Sequence, residues 1–218
     1  MRKLVAGMFI SLDGVVQAPG GPEEDRDGGF EHGGWLVPFF DDKLLEASTE
    51  WVSRAGGFVL GRRTYEIFVG SWPNSTDPED SVAVALNQRP KYVASKSLGE
   101  VAWNNSHLLG DDVVDAVRRL KAEDGGELQV HGSPGLLQTL LKHDLVDELR
   151  LWVFPVVIGE GKRLFGEGAI PGSYKLTDTQ LSTTGAVLHV YERDGGLRYG
   201  EVEVGQETVV FDGAEHGR

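Results

Sequence analysis

The chain has 218 residues, 40% of them hydrophobic, no cysteine and a formal charge of −13, which suits one large domain or two small ones with a core of ordinary size. The missing cysteine excludes disulfides, thiolate nucleophiles and thiolate metal sites. The six histidines are scattered without ligand spacing, so no metal is expected. The acidic balance argues against a nucleic-acid partner, which needs a basic field, and no apolar run approaches the roughly 20 residues of a membrane-spanning helix.

Lys3 to Ile10 is a short apolar run followed by polar residues, the pattern of a buried first strand. Ser11 and Asp13 interrupt the run and no small-residue cleavage site follows, so it reads as a strand rather than a signal peptide, and a cytoplasmic location is expected. Between Asp13 and Trp35 lie seven glycines, two prolines and a cluster of acids. Loops of that length in a compact domain are functional or disordered. The aromatic groups of Phe30, His32 and Trp35 argue against a purely disordered linker and leave two options, a fold over a ligand pocket or packing on the core.

From Asp41 to Ala55, Leu44, Ala47, Ser48, Trp51, Val52 and Ala55 share one face of a helix, which Gly56-Gly57 is expected to end. A strand Phe58 to Leu60 leads into Gly61-Arg62-Arg63-Thr64-Tyr65-Glu66 and a short helix from about Thr64. A proline-containing loop, Trp72 to Asp80, precedes a weak helix around Ser81 to Leu86. The next strand, Lys91 to Ala94, ends in Ser95-Lys96-Ser97. Asp111-Asp112 reads as an N-cap for a helix buried through Val113, Ala116, Val117 and Leu120, stopped by Gly125-Gly126.

Leu128 to Val130 is a strand that runs into His131-Gly132-Ser133-Pro134-Gly135, and the helix Pro134 to Lys142 follows. Leu149 to Phe154 forms another strand, terminated by Pro155 and extended by Val156 to Ile158. From Tyr174 the pattern holds strands without helices: Tyr174 to Leu181, Ala186 to Glu192, and a hairpin from Leu197 to Phe211. Alternating strands and helices imply right-handed crossovers, hence an α/β fold with a mostly parallel sheet, helices on both faces and antiparallel C-terminal strands. One domain is expected over 1–192. The segment 193–218, with more acids than basic residues, reads as an extension made of a hairpin and a flexible tail.

Two of the strand-to-helix turns point to a bound dinucleotide. Gly61 to Thr64 brings two guanidinium groups and a hydroxyl to a turn where glycine lets the backbone come close. His131 to Gly135 is a small-residue turn at a helix N-terminus, where free amides and the helix dipole attract phosphate. The usual doubly wound fingerprint, G-x-G-x-x-G after the first strand, is absent, because that strand ends in Ser11-Leu12-Asp13-Gly14. Gly159-Glu160-Gly161-Lys162 lacks the spacing of a P-loop, and neither G-x-S-x-G nor H-E-x-x-H occurs.

The order of these segments resembles the dihydrofolate reductase superfamily, and more closely the branch that shares its fold with the reductase domain of bifunctional riboflavin-biosynthesis deaminase-reductases. The resemblance is carried by Ser11-Leu12-Asp13-Gly14, by Leu60 to Glu66 and by Val153-Phe154-Pro155-Val156-Val157-Ile158-Gly159, and it covers about Met1 to Glu192. It implies a three-layer, dihydrofolate reductase-like architecture and NADPH as cofactor. On this resemblance Gly61, Arg62, Arg63 and Thr64 contact the adenosine phosphates, Ser95 with Lys96 lies near the 2′-phosphate, and Gly132, Ser133, Pro134, Gly135 and Leu136 hold the pyrophosphate. His131, just ahead of that turn, is counted with the cofactor stretch.

Hydride transfer needs the nicotinamide and an electrophilic carbon in contact, and often a proton for the substrate heteroatom. Asp13, leaving the first strand, is the catalytic candidate on the substrate side, and His32 and Trp35 are candidates to close over the substrate. The implied activity is an NADPH-dependent reduction of a small, pyrimidine- or pteridine-like heterocycle, resembling 5-amino-6-(5-phosphoribosylamino)uracil reductase. The alternative is a non-catalytic nucleotide-binding module of the same fold. Members of this branch are typically dimers, so a homodimer is expected. Two departures set the chain apart: the riboflavin enzymes commonly carry a lysine where this chain has Val15, and an acid where it has His131. The cofactor half is therefore expected to be retained and the substrate half changed.

Overall fold

The computed structural model describes residues 1–200. The first strand, β1 (Leu4–Ser11), is buried along nearly its whole length because it runs through the middle of the sheet. The others are β2 (Ala55–Gly61), β3 (Lys91–Ala94), β4 (Ser106–Leu108), β5 (Glu127–His131), β6 (Glu148–Phe154), β7 (Tyr174–Leu181) and β8 (Val187–Arg193). Together they form one eight-stranded sheet in the order β4-β3-β2-β5-β1-β6-β8-β7. The first six strands pair in parallel, and β8 joins β6 and β7 antiparallel. The fold is α/β, with a mostly parallel sheet and antiparallel C-terminal strands.

Helices α1 (Asp42–Ser53), α2 (Arg62–Ser71), α3 (Ser81–Gln88), α4 (Val113–Ala122) and α5 (Pro134–Lys142) supply the outer layers. The alternation of β1 decides which helix covers which face. Leu4, Ala6, Met8 and Ile10 pack with Val117 and Leu120 of α4 and with Leu137 and Leu140 of α5. On the opposite face Gly7 lies under Trp51 of α1, and Phe9 joins Leu44, Trp152 and Phe154. A further cluster, Val52, Phe58, Leu60, Tyr65, Leu86 and Trp103, ties the end of α1 to α2 and α3. Asp41, Asp80 and Asp112 cap α1, α3 and α4 by accepting amide hydrogens of the first turn.

Three local expectations change and one strand is added. Gly56 and Gly57 lie inside β2 instead of ending a helix, because a Cβ on Gly56 would meet Arg2 Nη2 at 2.7 Å and the Gly126 backbone at 2.8 Å. Helix α2 begins at Arg62, earlier than the expected Thr64. Strand β4 is only three residues long and gave no periodic signal. Val156 to Ile158 does not extend β6, since the amide of Ile158 turns to Asp13 Oδ1 at 3.1 Å.

The loop between β1 and α1 packs on the core through its aromatic residues, and Val16 to Asp25 line a cleft. Gln17 donates to the carbonyls of Asp25 and Asp27, Trp35 Nε1 donates to the carbonyl of Gln17, and Phe30 is buried with Val15 and Ala18. Of the expected C-terminal hairpin, Leu197 to Gly200 carry no strand and the remainder lies outside the described residues. No helix among the described residues is long and apolar enough to cross a membrane.

Candidate active site

The carboxyl ends of β2, β3 and β5 and the middle of β1, Gly7 to Phe9, open onto one cleft of about 1920 Å³, close to the position where open α/β sheets bind ligands. Gly61 leaves β2 as the N-cap of α2 and, having no side chain, leaves the first amides of the helix without a side-chain cap. The next two residues, Arg62 and Arg63, put cations at the positive end of the helix dipole, where cations are unfavourable. Across the cleft β5 is followed by Gly132 and Ser133, both left-handed at φ 56° and 57°, and Pro134 starts α5, again with no side-chain cap. Two uncapped helix N-termini and two guanidinium groups thus face the same space.

Ser133 joins the two turns. Its Oγ accepts from Gly61 N at 2.9 Å and donates to Thr64 Oγ1 at 2.8 Å. Both glycines are needed for this approach: a Cβ on Gly61 would meet Ser133 Oγ at 3.2 Å, and one on Gly132 would meet Thr64 Oγ1 at 3.3 Å. At the end of β3, Ser95 Oγ accepts the amides of Ser97 and Leu98 and shapes a turn that presents Lys96. Lys96 is exposed, lines the cleft and has no ion-pair partner among the described residues. Arg62 reaches Glu66 at 3.5 Å and Arg63 reaches Asp25 at 3.4 Å, both loosely and half-exposed. Burial pushes the Asp25 carboxyl up, but Lys162 at 2.8 Å, the Asp27 amide and Arg63 outweigh it and hold it below the ordinary aspartate value.

The cleft therefore gathers Gly61, Arg62, Arg63, Thr64, Ser95, Lys96 and the run His131 to Leu136. The His131 ring stacks on Trp51 at 4.2 Å and 17°, meets Phe58 edge-on and hydrogen-bonds Gln129 Oε1 at 3.1 Å. Burial pushes its pKa down to about 3. A neutral, packed imidazole supplies no charge to a phosphate, so of the cofactor stretch His131 contributes backbone and shape.

The three substrate-side candidates lie elsewhere. The Asp13 carboxylate accepts from Ser11 Oγ at 2.7 Å, Ile158 N at 3.1 Å and Gly159 N at 2.8 Å, and Arg163 Nη2 lies 3.3 Å away. The Ser11 hydroxyl first, then the two amides, hold its pKa well below the usual carboxylate range. The carboxylate is thus fully used in fastening the loop after β6 to the end of β1, and Asp13 is not among the residues lining the cleft. His32 pairs with Glu160 at 3.5 Å and Trp35 packs edge-on against Phe154, and neither lines the cleft. Sequence reasoning missed Phe9, Ser48, Trp51, Asp25 and Lys162 as lining residues. Only the apolar face of α1 signalled part of this set, and that signal does not distinguish core from cleft.

Residues 2–190 match the family of the RibD C-terminal domain. An uncharacterized protein of Bacillus subtilis, YyaP, is 26% identical over 89% of this chain and 96% of its own length. Among solved structures, a protein of Shewanella sp. PV-4 provisionally described as a riboflavin biosynthesis protein is 24% identical, with a TM-score of 0.66 over 88% of this chain and 99% of that one. Dihydrofolate reductase of Enterococcus faecalis, complexed with NADP(H), is 15% identical, with a TM-score of 0.55 over 88% of this chain and 96% of that one.

Proposed function

Because this chain belongs to the family of the RibD C-terminal domain, we propose that it is an NADPH-dependent reductase of a small heterocyclic substrate. The observation that carries the reading is the meeting of two helix N-termini, both without side-chain caps, with Arg62 and Arg63 placed against the dipole of α2. Such an arrangement lowers helix stability unless an anion completes it. The residues present fit a dinucleotide phosphate. Arg62 and Arg63 offer planar guanidinium forks, the first turns of α2 and α5 offer amides, and Lys96 offers a further cation for a 2′-phosphate.

When bound, NADPH supplies a hydride from its nicotinamide ring to an electrophilic carbon, breaking a C=N or C=O π bond whose electron pair then takes a proton. The chain's own part is to hold phosphate at one end of the cleft, to hold a planar substrate along the wall formed by β1 and α1, and to exclude water between them. Gly7, Phe9, Leu45, Ser48, Trp51 and Val52 on that wall include no acid or base, while Glu24 and Asp25 line the cleft from the loop after β1. The lack of an acid or base on the wall itself favours the second reading, a nucleotide-binding module without turnover. A homodimer in the cytoplasm is part of the proposal. The long exposed strand β7, which carries Leu176 and Leu181 on its surface, suits an interface, and native mass measurement tests it.

Fluorescence titration with NADPH, followed by cofactor oxidation assays against pyrimidine and pteridine candidates, decides between the readings. Binding with turnover supports the reductase. Binding without turnover on any candidate supports the module, and no binding at millimolar NADPH removes both.

A further inference from the structure

Asp25 sits where three segments of the cleft wall meet. Gln17, a buried residue of the loop after β1, donates to the carbonyls of Asp25 and Asp27 and accepts from the amide of Lys162. The turn that carries Asp25 is thereby fixed to the segment after β6. From that segment Lys162 Nζ reaches Asp25 Oδ2 and Asp27 Oδ2, each at 2.8 Å. The third contact comes from α2, where Arg63 Nη2 lies 3.4 Å from Asp25 Oδ1 across 38 positions of sequence. Asp25, Lys162 and Arg63 all line the cleft.

The two partners of this last pair are unequally held. The Asp25 side chain is 9% exposed and that of Arg63 is 55% exposed. Asp25 Oδ1 also accepts the amide of Asp27 at 3.2 Å. Burial pushes the Asp25 carboxyl up, Lys162 and then the Asp27 amide pull it down, and Arg63 adds the least to that pull. Breaking a buried ion pair is costly when it leaves a charge without a partner. Losing Arg63 does not do so here, because Lys162 and the Asp27 amide remain. Arg63 for its part touches Asp25 through one nitrogen at the outer limit of a hydrogen bond, and its other nitrogens have no hydrogen-bond partner among the described residues. A carboxylate that oriented this guanidinium for a ligand would hold it by two parallel bonds. Asp25 instead tethers it loosely, from a fixed position.

Arg63 stands in the first turn of α2, where the helix dipole disfavours a cation. Until a ligand binds, the Asp25 carboxylate offsets that cost. A phosphate offsets it better, since its oxygens suit the guanidinium fork and also reach the free amides of α2 and α5. The carboxylate and the phosphate repel each other at such short range, so they compete for the same cation. We infer that Asp25 is an affinity-setting residue of the anion site, an internal competitor that holds Arg63 until the phosphate of an incoming ligand takes it over. Binding is then an exchange of ion pairs: Arg63 swings from Asp25 to phosphate, while Asp25 stays on Lys162 and the Asp27 amide. An anion gains only the difference between the two pairings, so the site binds more weakly with the competitor than without it. The inference rests on the proposed function only in taking that phosphate to be part of NADPH, and the competition applies to any phosphate anion.

Calorimetric titrations of the full chain with NADPH and with inorganic pyrophosphate test it, on the parent, Asp25→Asn, Arg63→Ala and the double variant. Asparagine keeps the shape and an accepting oxygen and removes the charge. Asp25→Asn is expected to tighten binding about three- to five-fold, the size of one half-exposed ion pair. In the Arg63→Ala background the same change is expected to alter affinity by less than about two-fold, because the coupled partner is gone. Asp27→Asn removes an equal charge beside Lys162 without touching Arg63, and is expected to stay within about two-fold of the parent. Unchanged or weaker binding in Asp25→Asn, or the same tightening in Asp27→Asn or without Arg63, overturns the inference. If Asp25→Asn fails to fold, a crystal structure of the parent with either ligand decides: Arg63 on phosphate with Asp25 still on Lys162 supports the exchange, and Arg63 still on Asp25 contradicts it. If pyrophosphate shows the expected pattern while NADPH does not bind, the inference stands and the reductase reading falls. If NADPH binds and Asp25→Asn does not tighten it, the reductase reading stands and the inference falls. If neither ligand binds, both fall.

Discussion

Ser133 Oγ and Thr64 Oγ1 lie 2.8 Å apart although 69 residues separate them in sequence, and this contact locks the turn before α5 to the first turn of α2. The same oxygen accepts from Gly61 N, so one buried hydroxyl fixes the spacing of both helix N-termini. Ser133→Ala removes both bonds and leaves Gly61 N without its partner. It is expected to cost about 1–3 kcal/mol of stability and to weaken NADPH binding roughly ten-fold, measured by chemical denaturation and calorimetry. Full stability with wild-type affinity would show that the two turns are held by other means.

Arg62→Ala separates stability from binding. Its guanidinium opposes the dipole of α2, and its one partner, Glu66, is 3.5 Å away on an exposed face. Removing it is expected to leave stability unchanged or raised by about a few tenths of a kcal/mol. NADPH binding should fall about ten-fold or more, because a bidentate phosphate contact is lost. A drop in stability with unchanged affinity would assign Arg62 to the fold.

Gly7→Ala strikes the other end. The added methyl would overlap Trp51 Cη2 at 1.8 Å, and the indole cannot yield because His131 is stacked on it. A loss of about 1–3 kcal/mol is expected from overpacking, together with weaker substrate binding and NADPH affinity near that of the parent. Thermal melts and the two titrations read these effects separately.

Asp13→Asn is expected to lower the melting temperature at pH 7 and to spare turnover to within a few-fold. The Asp13 pKa is depressed from its ordinary 3.8 by Ser11 and by the amides of Ile158 and Gly159. Its contribution is therefore present above about pH 4 and is lost as pH falls below that toward the folded value. The gap between parent and variant should narrow as the pH is taken down through that range. Collapsed turnover at unchanged melting temperature would return Asp13 to a role on the substrate.

The His131 imidazole is held neutral, with its pKa lowered from 6.5 to about 3 by burial. The unfolded chain takes up this proton at about 6.5 and the folded chain does not. The contribution of His131 is thus complete above 6.5 and declines as pH falls toward 3. His131→Gln is expected to reduce the acid-side loss of stability between pH 6.5 and 4, measured by melts across that range. Equal slopes in parent and variant would show that the ring is protonated in the fold.

The elements legible in the sequence were those with local signals. Helix α5 begins at Pro134 and ends at Lys142, both as read, because a proline at the first position and leucines at helical spacing mark it. Strands β3 and β7 likewise keep their expected bounds. What was lost depended on distant partners. The carboxylate of Asp13 is claimed by amides 145 and 146 residues away, whereas the sequence shows only an aspartate at the end of a strand. Gly56 and Gly57 resemble a helix stop, yet Gly56 is required by the close passage of Gly126. Ser48 and Trp51 sit on an apolar helix face that periodicity assigns to the core, and only the tertiary arrangement opens that face to a cleft.

The central claim is that Gly61 to Thr64 and Gly132 to Leu136 together hold NADPH. Calorimetric titration of the full chain with NADPH and with NADH tests it most directly, repeated on Arg62→Ala and Arg63→Ala. Saturable binding of NADPH, clearly tighter than NADH and weakened about ten-fold or more in each variant, is the predicted result. No heat at millimolar NADPH, or an affinity that both variants retain, would contradict it.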